Sequence, residues 1–229
     1  MTGTSRRALF RWAATAPLAA AAAATTLAAE AQASSAKNHP TTHSESARRR
    51  IQKLHLPNVP LLTHEGRPVR FYDDLIKGRI VMVNFFYTRC DDVCPGVTAN
   101  LAAVQKLLGA ELGKRVFMYS LTLKPEQDGV QAVRDYRELF RAQPGWTFLT
   151  GKPADLESIR RGIGFQYPDP AVDQDKTQHI GNVRYGNEPL MLWAACPGLA
   201  NARYLAESIS WMLQPDARHI QGSSEASRT

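Results

Sequence analysis

The residues with the clearest chemistry are Cys90 and Cys94, in the segment Thr88-Arg89-Cys90-Asp91-Asp92-Val93-Cys94-Pro95. Pro95 suits the first turn of a helix, because proline has no N–H to offer and its fixed φ is already helical. Cys94 therefore belongs at a helix N-terminus, where free N–H groups and the helix dipole favour a thiolate. Four residues apart on a helical turn, two side chains share a face with Cβ atoms roughly 5–6 Å apart. A disulfide asks for Cβ atoms about 3.5–4.5 Å apart, and two thiolates on one metal for sulfurs within about 4.6 Å. The spacing permits both a reversible disulfide and a two-sulfur metal site.

Soft thiolates select Cu(I) or zinc, and an added imidazole makes a three-ligand set that redox-active copper can use. His179 is the leading histidine, since it follows a long polar loop and opens a late hairpin whose strand should lie beside the first core strand. His39 and His43 fall in an N-terminal tail, His219 beyond the last helix, and His55 and His64 ahead of the core. Cys196 ends an apolar stretch and reads as a small buried core residue, with exchange against Cys90 or Cys94 as its alternative role.

The elements that must position these groups follow from hydrophobic period. Leu61 to Phe71 reads as a hairpin around Glu65-Gly66. Ile80 to Tyr87 is a near-continuous run of β-branched and aromatic residues, as in a strand covered on both faces. Val97, Leu101, Val104 and Leu108 recur at helical spacing and stop at Gly109. Val116 to Leu121 is a second core strand, Val130 to Phe140 a helix, Trp146 to Leu149 a short strand, and Leu156 to Ile163 a third helix. Gln166 to Gln178 is polar and irregular. Ile180 to Tyr185 and Leu190 to Ala195 should pair across a turn at Gly186-Asn187, and Leu205, Ile209 and Met212 mark a final helix. Alternating strands and helices predict an α/β fold, a mostly parallel sheet with helices on both faces, closed by an antiparallel hairpin.

The chain of 229 residues fits one domain with extra segments. Its 44% hydrophobic content predicts a packed core, and three cysteines are too few for a disulfide scaffold. Residues 1–33 read as a secretory signal: Arg6-Arg7, an uncharged Ala-rich stretch from Trp12 to Ala29, and the cleavage pattern Ala31-Gln32-Ala33. Paired arginines with a weakly hydrophobic section point to the Tat route into the periplasm, with an uncleaved membrane anchor as the alternative. Cleavage would remove Arg6, Arg7, Arg11 and Glu30 and lower the net charge from +7 to +5. That excess is modest and no RNA motif or zinc-finger spacing accompanies it, so nucleic acid is not an expected partner. Residues 34–56 read as a flexible linker, 57–214 as the domain, and 215–229 as a polar tail.

At these residues the sequence resembles the SCO/SenC family of exported copper proteins. The likeness runs from about Leu61 to Leu213. It rests on Val81 to Tyr87, the C-x-x-x-C-P segment at Cys90 to Pro95, Pro125-Glu126-Gln127-Asp128, Trp146 to Gly151, and His179. The resemblance implies a thioredoxin-like fold with an added N-terminal hairpin, and copper, as Cu(I), Cu(II) or both, on Cys90, Cys94 and His179. It further implies a monomeric metallochaperone whose acceptor is a copper protein such as a cytochrome c oxidase subunit. The family's usual Asp before the histidine is Gln178 here, its Asp before Pro125 is Lys124, and its Pro after the first cysteine is Asp91. A thiol–disulfide oxidoreductase using Cys90 and Cys94 as a redox pair is the alternative function.

Overall fold

The computed structural model describes residues 42–175 and 181–213. The leader at 1–33 and the tail at 215–229 lie outside the described residues. The chain divides into two compact units, Met1–Arg49 and Arg50–Thr229, and of the first only the opening of α1 (Thr42–His55) is described. Along the second run β1 (Pro60–Thr63), β2 (Pro68–Arg70), a helical turn at Phe71–Ile76, β3 (Ile80–Phe86), α2 (Val93–Leu108) and β4 (Val116–Thr122). Next come α3 (Val130–Leu139), β5 (Trp146–Gly151), α4 (Pro153–Gly162) and α5 (Pro170–Gln174). β6 (Asn182–Asn187), β7 (Leu192–Pro197) and α6 (Ala202–Trp211) complete the described chain.

Among the described residues, seven strands form one sheet in the order β2-β1-β5-β4-β3-β6-β7. The expected parallel arrangement occupies the centre, where β3 and β5 both run parallel to β4. Antiparallel strands extend it on each side: the early hairpin β1–β2 joins through β5, and the late hairpin β6–β7 joins through β3. The N-terminal hairpin and the neighbourhood of β6 and β3 are thus as the sequence foretold.

Burial explains why β3 reads as an unbroken apolar run. Met82 and Phe86 enter a cluster with Val97, Leu101 and Val104 of α2, Val133 and Tyr136 of α3, and Leu205 and Ile209 of α6. Val81, Val83 and Phe85 enter a second cluster with Phe71, Ile76, Leu156, Ile159 and Phe165. A strand covered on both faces has no polar face to alternate with. Its one polar side chain, Asn84, is buried and satisfied: Ser120 Oγ donates to Asn84 Oδ1 at 2.7 Å and Trp146 Nε1 donates to Ser120 Oγ at 2.9 Å. That row fixes β3, β4 and β5 laterally.

Three expectations change. Residues 42–55, within the expected linker, are helical; no Gly or Pro interrupts them, and a polar composition forbids burial of a helix rather than its formation. The late hairpin turns at Glu188–Met191, while Gly186 and Asn187 are the last residues of β6. Gly186 serves close approach instead: a Cβ there would stand 2.5 Å from the Trp193 ring and 2.6 Å from Leu192 O. Asn187 accepts from Leu190 N, and Glu188, buried, accepts from Tyr72 OH and from Gly78 N. Finally, the stretch 166–178 is not wholly irregular, since Asp169 caps the short α5 by accepting from Ala171 N at 2.8 Å.

The early hairpin carries a buried histidine. His64 accepts from Phe148 N at 3.4 Å through Nδ1, and burial, then Arg137, push its pKa down. The folded chain therefore binds fewer protons here than the unfolded chain, so stability falls as pH drops below about 6.5. Urea midpoints measured from pH 7 to pH 5 should decline in the wild type and decline less in His64→Gln, which keeps an acceptor without a titrating ring.

Candidate metal centre

β3 delivers the chain to the sheet's carboxyl edge at Tyr87, the side on which open α/β sheets place their sites. There a tight turn forms, in which Cys90 N donates to Tyr87 O at 3.3 Å. α2 begins only at Val93, so Cys90 lies before the helix and Cys94 in its first turn. The two thiols meet because the turn folds back on the helix, rather than by sharing one helical face. Asp92 precedes the helix with φ −112° and ψ −116° and offers no side-chain cap.

Cys90 is 8% exposed and Cys94 1%. Neither is in a disulfide, and Cys94 is in side-chain hydrogen-bond contact with Cys90. Burial, followed by that contact, pushes the Cys94 pKa well up, against a smaller downward pull from the Tyr87 backbone amide. The thiolate preference expected from a helix N-terminus is therefore reversed at Cys94: the sulfur sits too deep for the dipole to offset its desolvation. Behind it, Thr98 Oγ1 donates to Cys94 O at 2.8 Å and lies 3.2 Å from Tyr136 OH. In front, Tyr87 borders Cys90, and burial, then the Cys90 hydrogen bond, push its phenol up. Lys124 Nζ stands 4.2 Å from the centre of the Tyr87 ring, a cation–π contact at the position where the resemblance led one to expect Asp.

Of the predicted ligands, the structure brings Cys90 and Cys94 together. His179 and Gln178 lie outside the described residues, and among the described residues no group of three or more His, Cys, Asp or Glu converges as a metal set. Gly181, two residues beyond His179, packs near the first turns of α2: a Cβ on it would lie 3.5 Å from Val93 Cγ2 and 3.7 Å from Val97 Cγ2. Its carbonyl accepts from Gly198 N at 2.7 Å. His55 and His64 are engaged elsewhere, on Gly162 O and Phe148 N. Cys196 is buried in β7 as expected, and burial lifts its pKa to about 11.

Two buried charged groups near these elements carry no signature in spacing. Asp128, fully buried, accepts from Thr88 and Thr122. Arg160 of α4 pairs with Asp173 of α5 through two hydrogen bonds of 2.7 and 2.6 Å, with both side chains 6% exposed. Asp173 also accepts from Tyr167 N at 2.9 Å, and Arg160 donates to Phe165 O. The pair ties α4 to α5 and, through Tyr167 N and Phe165 O, holds the chain between them, where Phe165 enters the second core cluster.

A reduced thiol pair at a strand-to-helix turn of an α/β sheet defines a class of thiol proteins that exchange disulfides or hold soft metals. The family model SCO1/SenC matches residues 51–214, and the chain belongs to that family. A protein of Stutzerimonas stutzeri is 26% identical over 131 residues, 56% of this chain and 62% of its own. The chain spans less than two thirds of the length of the curated relatives it first matches. Arabidopsis thaliana ScoI, solved with copper bound, superposes with a TM-score of 0.54 at 22% identity over 67% of this chain and 94% of its own. BsSco is described as a Sco-family cytochrome c oxidase assembly protein with a disulfide switch; it gives 0.56 at 20% identity over 69% and 92%. The fold is thioredoxin-like, as the resemblance implied.

Removing one partner of a buried ion pair strands the other. Asp173→Asn should lower the unfolding free energy by about 3 kcal/mol in urea titration, the low end for such losses because Glu157 still holds Arg160. The double change Arg160→Met with Asp173→Leu should cost less than the single one.

Proposed function

We propose that this chain is a copper metallochaperone that holds its cargo on Cys90, Cys94 and His179 and passes it to a copper-requiring respiratory enzyme such as cytochrome c oxidase. The observation that carries the reading is the meeting of two unbridged cysteines at the sheet edge, with Gly181 packed near the helix that bears one of them. Two residues of chain span at most about 7 Å, a length that lets His179 serve as the third ligand in this reading. Family membership and the copper held by the Arabidopsis neighbour support the same reading.

Chemically, the two sulfurs suit Cu(I), and a set of three ligands leaves room for an acceptor's ligand to enter before one of the chaperone's leaves. Loading requires both cysteines reduced, and the raised Cys94 pKa means that a proton departs when its sulfur takes up metal. The expected outcome of an anaerobic titration against a competing chelator is one tightly held copper per chain. Cys90→Ser or Cys94→Ser should abolish it and His179→Ala should weaken it by orders of magnitude. Tight binding retained in either cysteine variant would overturn the site.

The adjacency of the two unbridged cysteines also favours a second reading, reduction of an acceptor's disulfide. One cysteine attacks, forming a mixed disulfide and expelling an acceptor thiolate. The other then attacks, releasing the second thiolate and closing a Cys90–Cys94 disulfide, so two electrons pass to the acceptor and an external dithiol must restore the pair. In this reading both activities belong to the periplasm, with residues 1–33 serving as the export leader. Replacing Arg6 and Arg7 together with Lys should leave precursor in the cytoplasm on immunoblots of cell fractions; undisturbed export would assign the general secretory route.

A further inference from the structure

The turn that carries Cys90 is held from beneath by a buried carboxylate. Asp128 is 0% exposed. Its Oδ2 accepts from Thr88 N at 3.1 Å and from Thr122 Oγ1 at 2.5 Å, and its Oδ1 accepts from Thr88 Oγ1 at 2.5 Å. Its backbone carbonyl accepts from Thr150 Oγ1 at 2.7 Å. A single residue thus binds the loop two positions before Cys90, the last residue of β4, and β5. The donors to the carboxylate are a backbone amide and two hydroxyls, and burying a charge among such groups is expensive unless its hydrogen bonds are complete. Here the carboxylate grips Thr88 by backbone and side chain at once, which fixes both the position and the direction of the chain as it leaves β3.

The elements it joins are already registered by the sheet, since Phe86 lies opposite Thr122 and Leu123 N donates to Phe86 O at 2.7 Å. The sheet therefore does not need Asp128 in order to align. What lies beyond the last paired residue of β3, and has no ladder of its own, is the turn Tyr87 to Asp92.

We propose that Asp128 is the positioning residue of the thiol pair: by clamping Thr88 it sets where Cys90 stands relative to Cys94. The proposal rests on the reading that these two cysteines form the site, and it holds for disulfide exchange and for copper alike. Outer partners of this kind act on a site through a ligand's placement, and their loss typically costs about 10–100-fold in affinity.

The test uses the full chain and reads three quantities: the dithiol–disulfide equilibrium of Cys90 and Cys94 against dithiothreitol without metal, the Cu(I) affinity, and the urea midpoint. Asp128→Ala should shift the equilibrium constant and weaken Cu(I) binding, each by about tenfold or more. Thr88→Val, which loses only the hydroxyl bond, should shift both by at least about threefold. Asp128→Asn can still accept from Thr88 N and Thr122 Oγ1 while donating to Thr88 Oγ1, so it should restore both to within about twofold. Thr122→Val, which breaks a bond to the same carboxylate from the strand side, should lower the urea midpoint and leave both site readouts within about twofold. If Asp128→Ala does not fold, the contrast of Thr88→Val with Thr122→Val decides. An unchanged equilibrium in Thr88→Val, or an equal change in Thr122→Val, overturns the proposal. Absence of copper binding in the wild type would overturn the chaperone reading instead, with the dithiothreitol arm still reporting on Asp128.

Discussion

The site depends on a backbone constraint: β3 must end where it does. A strand buried on both faces has each of its residues committed to one of two clusters, so a slip of one residue would send Met82 and Phe86 to the wrong side of the sheet. The satisfied row Asn84, Ser120, Trp146 adds a polar cost to any such slip, because its buried groups would lose their partners. The register that results releases the chain at Tyr87 with its direction set, and α2 can start only a few residues later. Cys90 and Cys94 meet in the interval between those two fixed points.

Within that interval two influences compete over the sulfur of Cys94. The first turn of α2 presents free N–H groups, which favour negative charge, while near-complete burial penalises it. Burial prevails, so the Cys94 thiol is held against losing its proton.

Much of this was legible in the sequence because apolar period reports burial. The run Ile80 to Tyr87, the four-three-four spacing of Val97 to Leu108, and the hairpin around Gly66 each translate directly into a covered strand, an amphipathic helix and a turn with φ +81° at its glycine. The late turn was misplaced for a physical reason: a glycine followed by an asparagine marks either a reversal or a close approach, and Trp193 stacking over Gly186 makes it the latter. The helix at 42–55 was read as linker because polarity reports exposure, not conformation. Asp128 and the Arg160–Asp173 pair were silent as chemistry, since their partners lie 40 and 13 residues away and no local period encodes them. The thiol pair itself was legible, yet the reason its members meet, a turn folding back before the helix begins, was not.

Cys196 gives the odd cysteine count a consequence of its own. Three thiols allow three pairings, and a protein that meets oxidants must suppress two of them. Burial lifts the Cys196 pKa to about 11, which disfavours its thiolate, the attacking form. That restraint comes from the packing of β7, in which the Cys196 side chain is buried. Any loosening of that edge strand would expose a third thiol, so the thiol chemistry open to the molecule depends in part on its least central strand.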